Sequence, residues 1–379
     1  MVFTKPSIKI QEFLKNIQLT PVFNFSPSAI PIIEKIYNQA TTAHMSKPVA
    51  TIVQKTVVKP NAPFPKGSSY EYMEDSIKTH IHGLKKHITE VKLVLGQRTY
   101  TIFFINTIAE SVDNYVKWIN TWLHVATLYA KPNCSKTVTV YLYLTDLKKV
   151  LPKKNNIELD AENANTAFTT SCKLETEIIL YRREEWFKVF IHESFHNLGL
   201  DFSGQTVSKM LSKIFPIKSD FKLYETYTEM WAELMNIIFI NVGTGKPFNK
   251  VRSSIEKHIQ IERKFSLFQS AKILHHFGIT YSDILNGDAK EKYKEDTEIF
   301  CYFILKTLLL YNCNDFIEWL HNHMKPVPNK IDKFIQDLII PRYNEIQFIK
   351  TINSFQEYVQ PSNTFIGSTL RMTALEQLL

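Results

Sequence analysis

WFKVFIHESFHNLGL (Trp186–Leu200) sets His192, Glu193 and His196 inside an apolar run. On an α-helix, residues four apart lie about 40° apart around the axis. His192 and His196 therefore present their imidazoles from adjacent turns, close enough to grip one metal ion. Glu193 is offset by about 100°, outside that pair but within reach of a water beside it. Two neutral imidazoles and one further carboxylate suit Zn2+ and leave a position for water. Such a metal acidifies water, and a neighbouring glutamate takes the proton. The plain alternative is a core helix that carries three polar residues by chance. At this composition, chance alone gives H-E-x-x-H in roughly one chain in forty. The uncharged flanks, Val189 to Ile191 before it, Ser194 and Phe195 within it, Asn197 and Leu198 after it, favour the metal.

A third ligand has to come from elsewhere. YETYTEMWAELMNIIF (224–239) spaces Glu225, Glu229 and Glu233 four apart, a carboxylate stripe on one helical face. Acidic groups repeated along an otherwise hydrophobic helix are costly unless paired or liganded. The plain alternative is the solvated side of an amphipathic helix.

VFIHESFHNL resembles the signature helix of the zincin metallopeptidases, and T-E-M-W-A-E is similar to the E-x-x-[SA]-[DE] pattern of their gluzincin branch. The resemblance covers about ten contiguous residues, enough for a superfamily rather than one family. It implies an α+β, zincin-like fold: a mixed sheet-and-helix lobe, the active-site helix, then a mostly helical lobe. It implies one Zn2+ per chain held by His192, His196 and Glu229, with Glu193 as general base. Glu233 would then accept a histidine N–H and fix its tautomer. Slid back one turn, the same pattern makes Glu225 the ligand and Glu229 its support. The metzincin extension fits at Gly199 but fails at Phe202, which stands where its third ligand belongs. By position, His275, His276 and Tyr281 are the candidates for steadying an oxyanion. Asn165, Thr166, Ala167 and Phe168 stand where zincins keep the strand that pairs with a peptide. The expected function is a zinc-dependent metallopeptidase acting on a peptide or protein. The rival is a catalytically inactive zincin-fold scaffold or partner-binding protein.

Composition limits the remaining classes. The 379 residues are 44% hydrophobic and 22% charged, globular values, and only 10 are glycine. Neither G-x-G-x-x-G nor a P-loop occurs. Cys134, Cys172, Cys301 and Cys313 form no C-x-x-C and read as separate core residues in a reducing compartment. No signal-peptide pattern is present. IFCYFILKTLLLY (299–311) is too short to span a membrane and reads as a buried helix. An intracellular, cytoplasmic protein without a membrane span is expected. Lysine greatly outnumbers arginine, which suits an AT-rich genome, such as that of a parasite or a large DNA virus, better than nucleic-acid recognition. Residues 1–75 read as a basic, proline-punctuated extension, with eight lysines against two glutamates in the first 70, open to an acidic partner. Residues 76–203 read as an α/β lobe ending in the H-E-x-x-H helix, and 204–379 as a helical lobe. Within the first, HITEVKLVLGQRTYTIFFI predicts a hairpin about Gly96-Gln97, TVTVYLYLTDL a central strand, and EIILY another strand.

Overall fold

The computed structural model describes all residues except 1, 47–54, 60–64, 66–69, 72, 85, 107–111, 204–209, 324–329 and 379. The proline-rich stretch 60–69, expected as a linker, lies outside them save Pro65. The fold is α+β. Two compact units divide it, one of Tyr37–Lys148 and Asn165–Ser203, the other of Met1–Ile36, Lys149–Ala164 and Gly204–Leu378. The stretch expected as an extension, 1–75, is thus divided between the two units at Ile36 and Tyr37. Residues 5–14 form a helix whose Ser7, Ile10 and Leu14 are buried, so apolar spacing makes the stretch part of a core.

The first unit is built on a six-stranded sheet: β1 (Lys55–Lys59), β2 (Lys86–Leu95), β3 (Arg98–Asn106), β4 (Thr137–Thr145), β5 (Ala167–Thr169) and β6 (Glu175–Arg182). Their order is β1-β2-β3-β4-β6-β5. β2 and β3 form the expected antiparallel hairpin, with Leu95 opposite Arg98 and Gly96 at φ 59° in the turn. β4 lies parallel to both β3 and β6, hence central and buried on both faces. On one face Tyr141, Tyr143, Ile179 and Tyr181 pack with Met73 and with Ile77 and Ile81 of the helix Asp75–His82. The alternating residues Val140, Leu142, Ile178 and Leu180 are equally buried. β5 is an edge strand beside β6. The helix Asp113–Thr127 carries Trp118 and Trp122, which meet Phe187 and Phe195 of the H-E-x-x-H helix.

Cys134 and Cys172 are joined in a disulfide, with Cα atoms 4.7 Å apart, whereas Cys301 and Cys313 are free and buried. The expectation of four independent thiols is thereby corrected. A sequence separation of 38 concealed a pair that strand order brings together.

The second unit is helical. Its long elements are Leu223–Val242 and Phe248–His276, and Phe300–Leu305 is a π-helix that runs directly into Lys306–Tyr311. The stretch 299–311 is buried as expected, and no described helix is long and apolar enough to cross a membrane. Residues 366–375 thread this unit, paired to 149–151 by the Leu370 amide on the Lys149 carbonyl and the Leu151 amide on the Ser368 carbonyl, and side chains bind further backbone groups. Lys272 donates to the carbonyls of Ile366 and Thr369, Lys306 to that of Met372, and Asn236 to that of Leu375. Glu262 accepts from the amides of Ala374 and Leu375 and from the Thr373 hydroxyl. Phe3 then bridges Gln377, and Thr4 donates to the Glu376 carbonyl.

Glu295 is half-buried here, accepting from the Phe300 amide at 2.7 Å and the Tyr293 hydroxyl at 2.8 Å. Burial nonetheless pushes its carboxyl from 4.5 up to about 7. Because the folded value is raised, the folded chain holds this proton where the unfolded chain has released it. The stability Glu295 contributes is full below pH 4.5 and is lost as pH rises through 7, about 3 kcal/mol in all. Glu295→Gln is expected to flatten that fall in denaturant titrations at pH 5 and pH 8. Parallel pH dependences for both proteins would sink the assignment.

Candidate metal centre

β6 delivers the chain to Glu185, which takes a left-handed φ of 60° as N-cap, and the helix runs Trp186–Asn197. Glu184 and Glu185 therefore precede the helix rather than occupying its first turn. Nearly every side chain from Trp186 to Asn197 is buried, as an all-round apolar helix requires. The helix ends in a Schellman turn: Gly199, at φ 67°, donates to the His196 carbonyl at 3.2 Å, and Leu200 to that of Phe195 at 2.8 Å. Gly199 is thus a cap, and its match to the metzincin glycine is incidental. Phe202 is a core residue.

This turn brings Asp201 back to the helix. Its Oδ2 lies 2.5 Å from His196 Nδ1, and its Oδ1 accepts from the Ser203 amide and hydroxyl. The carboxylate accepts a hydrogen bond from Nδ1–H, which makes Nε2 the acceptor nitrogen of the His196 ring. That Nε2 faces His192 Nε2 at 3.1 Å. Two imidazole nitrogens on one tetrahedral zinc, each about 2.05 Å from it, stand about 3.3 Å apart. The pair already has the spacing of a chelate. The sequence offered a hint of Asp201, an acidic residue just past the helix cap, but gave no sign that the turn would reverse toward His196.

The third ligand of the expected set is a carboxylate of the helix Leu223–Val242. The sequence names Glu229 for it, with Glu225 as the alternative one turn earlier. Each four-residue step advances about 6 Å along a helix, so one fixed pair of imidazoles meets one carboxylate of such a stripe. Glu225 stands in the first turn of Leu223–Val242, where the helix dipole favours its charge. Beside it Lys222 pairs with Glu298. Burial pulls the Lys222 ammonium down, but the Glu298 hydrogen bond and the charges of Glu298, Glu225 and Asp220 raise it overall. Glu229, one turn on, is buried. Glu233 does not orient a histidine: its Oε2 lies 3.3 Å from the buried Lys306 ammonium.

Glu193 is buried next to the histidines in sequence. Burial pushes the Tyr181 hydroxyl up, Arg182 opposes this, and the Glu193 charge adds to the rise. The expected oxyanion group is not assembled. His276 is held at 2.8 Å to the Ile157 carbonyl, with burial lowering its pKa. The Tyr281 hydroxyl donates to the Tyr343 carbonyl, while His275 is exposed. Of the expected edge residues, Ala167 and Phe168 lie in β5. Asn165 and Thr166 lead into it, their carbonyls accepting from the Tyr181 hydroxyl and amide.

No family model matches the chain, and no solved structure matches it. A curated relative, an uncharacterized protein of Acanthamoeba polyphaga mimivirus, is 25% identical over 301 residues, covering 74% of this chain and 72% of its own. The chain is similar to a protein of a large DNA virus.

Proposed function

We propose that this chain is a zinc-dependent peptidase of zincin type, with His192, His196 and Glu225 as the metal's protein ligands and Glu193 as general base. The observation that carries the reading is the pair of facing imidazoles, set 3.1 Å apart with Asp201 fixing one tautomer. The two nitrogens share a hydrogen bond, and a divalent cation would take the place of its proton between them. Two nitrogens and a carboxylate are a donor set that zinc accepts, with room for a further ligand.

Zinc bound there supplies Lewis acidity, which polarises a peptide carbonyl and acidifies water. The chain does the rest. Asp201 accepts from Nδ1–H of His196, which presents that ring's Nε2 to the metal. Glu193, about 100° around the helix from the ligand pair, accepts a proton from water and returns it to the leaving amine. β5, at the sheet edge beside the strand that feeds the helix, offers backbone groups to an extended peptide. The similarity to a mimivirus protein supports a viral origin.

Metal analysis of three purified proteins tests the ligand set. Wild type is expected to hold close to one zinc per chain, Glu225→Ala to lose it, and Glu229→Ala to keep it. A wild type that takes up no zinc, or a Glu225→Ala protein that retains it fully, overturns the reading.

A further inference from the structure

The C-terminal end of the H-E-x-x-H helix is gripped by two segments that the disulfide joins. Cys134 closes a turn in which its amide donates to the Lys131 carbonyl at 3.1 Å, and Lys131 itself donates to Leu198 at 3.1 Å. The Ser135 hydroxyl donates to the Asn197 carbonyl at 2.5 Å. From the other segment, the Cys172 amide donates to the carbonyl of His196 at 3.2 Å. Three successive carbonyls at the end of the helix, 196 to 198, are thus satisfied by residues at or beside the two cysteines. The segments also bind each other, Ser135 amide to Lys173 carbonyl at 2.6 Å. Arg98 anchors the Cys134 turn through the carbonyls of Cys134 and Lys131. Cys134 Sγ lies against Gly199, where an added Cβ would stand 2.8 Å from it. Gly199 is the turn that returns Asp201 to His196.

We propose that the Cys134–Cys172 disulfide positions His196 through this clamp, so that the redox state of the pair sets the affinity of the metal site. The inference rests on reading His192 and His196 as metal ligands. Cys172 is exposed whereas Cys134 is buried, so the bond is open to attack from one side. A thiolate of an external dithiol attacks the Cys172 sulfur and displaces Cys134 as thiolate. The dithiol's second thiolate then closes on its own first sulfur and releases Cys172. Two electrons and two protons pass to the cysteines, and the dithiol leaves as a cyclic disulfide. The freed segments relax away from residues 197–199, and Asp201 loses its fixed approach to His196. Loss of a partner that orients a ligand typically lowers metal affinity 10–100-fold.

The test measures zinc affinity by chelator competition, and the visible spectrum of the cobalt-loaded protein, on the full chain. Three forms are compared: oxidised wild type, wild type reduced with a phosphine (which, unlike a dithiol, competes little for zinc), and Cys134→Ser/Cys172→Ser. The reduced and double-variant forms are expected to bind zinc at least 10-fold more weakly and to show an altered cobalt spectrum. Re-oxidation should restore wild type. A core variant of matched thermal stability, Val140→Ala on β4, should keep full affinity; equal weakening there would reduce the effect to stability and overturn the proposal. Equal affinity in oxidised and reduced wild type also overturns it, as does a count of four reactive thiols in the unfolded native protein rather than two. Absence of zinc from the oxidised protein removes the metal reading itself, and so is distinguishable from failure of the redox step.

Discussion

Glu193→Gln is expected to lower peptide hydrolysis about 10²–10⁴-fold while the protein still holds close to one zinc per chain. The glutamine keeps the size of the side chain and its buried place beside His192, so packing is preserved. What it loses is the basic oxygen pair: an amide cannot accept a proton from water at neutral pH and deliver it to a leaving amine. Because Glu193 lies about 100° from the ligand stripe, it contributes no ligand, and metal uptake should be unaffected. The two readouts separate base from ligand. Hydrolysis undiminished in Glu193→Gln sinks the mechanism, and zinc lost along with activity moves Glu193 into the ligand set.

The second large effect is on stability. Lys306 is a charge in the middle of an apolar stretch, and the fold uses it. Its ammonium lies 3.3 Å from Glu233 and donates to the Met372 carbonyl at 2.8 Å, all out of contact with water. Glu262 is packed nearby; burial and then the charge of Glu233 raise its carboxyl well above the ordinary range, while Lys306 pulls it down. Lys306→Met keeps the length of the side chain but leaves two buried carboxyls with no cation between them. Removing one partner of a buried pair costs about 3–5 kcal/mol. The unfolding midpoint of Lys306→Met should fall accordingly, and Lys306→Met/Glu233→Gln should recover part of the loss, since the orphaned charge is gone. A double variant no better than the single one would show that packing, rather than charge, holds this region.

The parts of the molecule legible in the sequence are those encoded by short-range pattern. The β2–β3 hairpin follows from alternating apolar residues around Gly96, and β4 from a β-branched and aromatic run. The H-E-x-x-H helix follows from its periodic apolar faces. The two histidines could be placed together because one helix fixes both. The third carboxylate could not, since Glu225, Glu229 and Glu233 share one face and differ only in height along the axis. The height is decided by packing that no local pattern records. The same limit hid Glu233's pairing with Lys306, 73 residues away, and the Cys134–Cys172 bond, 38 residues apart. Asp201 stands beside Phe202, where the metzincin pattern fails, and nothing local marks its approach to His196. Its function depends on a Schellman turn that reverses the chain within three residues. His276 and Tyr281 looked available by position and are spent on backbone carbonyls instead.

The threaded segment 366–375 has a consequence for biosynthesis. The buried charges of Glu262, Lys272 and Lys306 lie on helices made 60 to 110 residues before the carbonyls and amides they need, on the order of 10 s earlier at ribosomal speed. Until those last residues emerge, the helical unit would have to bury ions with nothing to bind. It can therefore complete its core only after residues 366–375 have emerged, and the strand-built unit, whose described residues are all made by 203, has the whole of that interval to fold first.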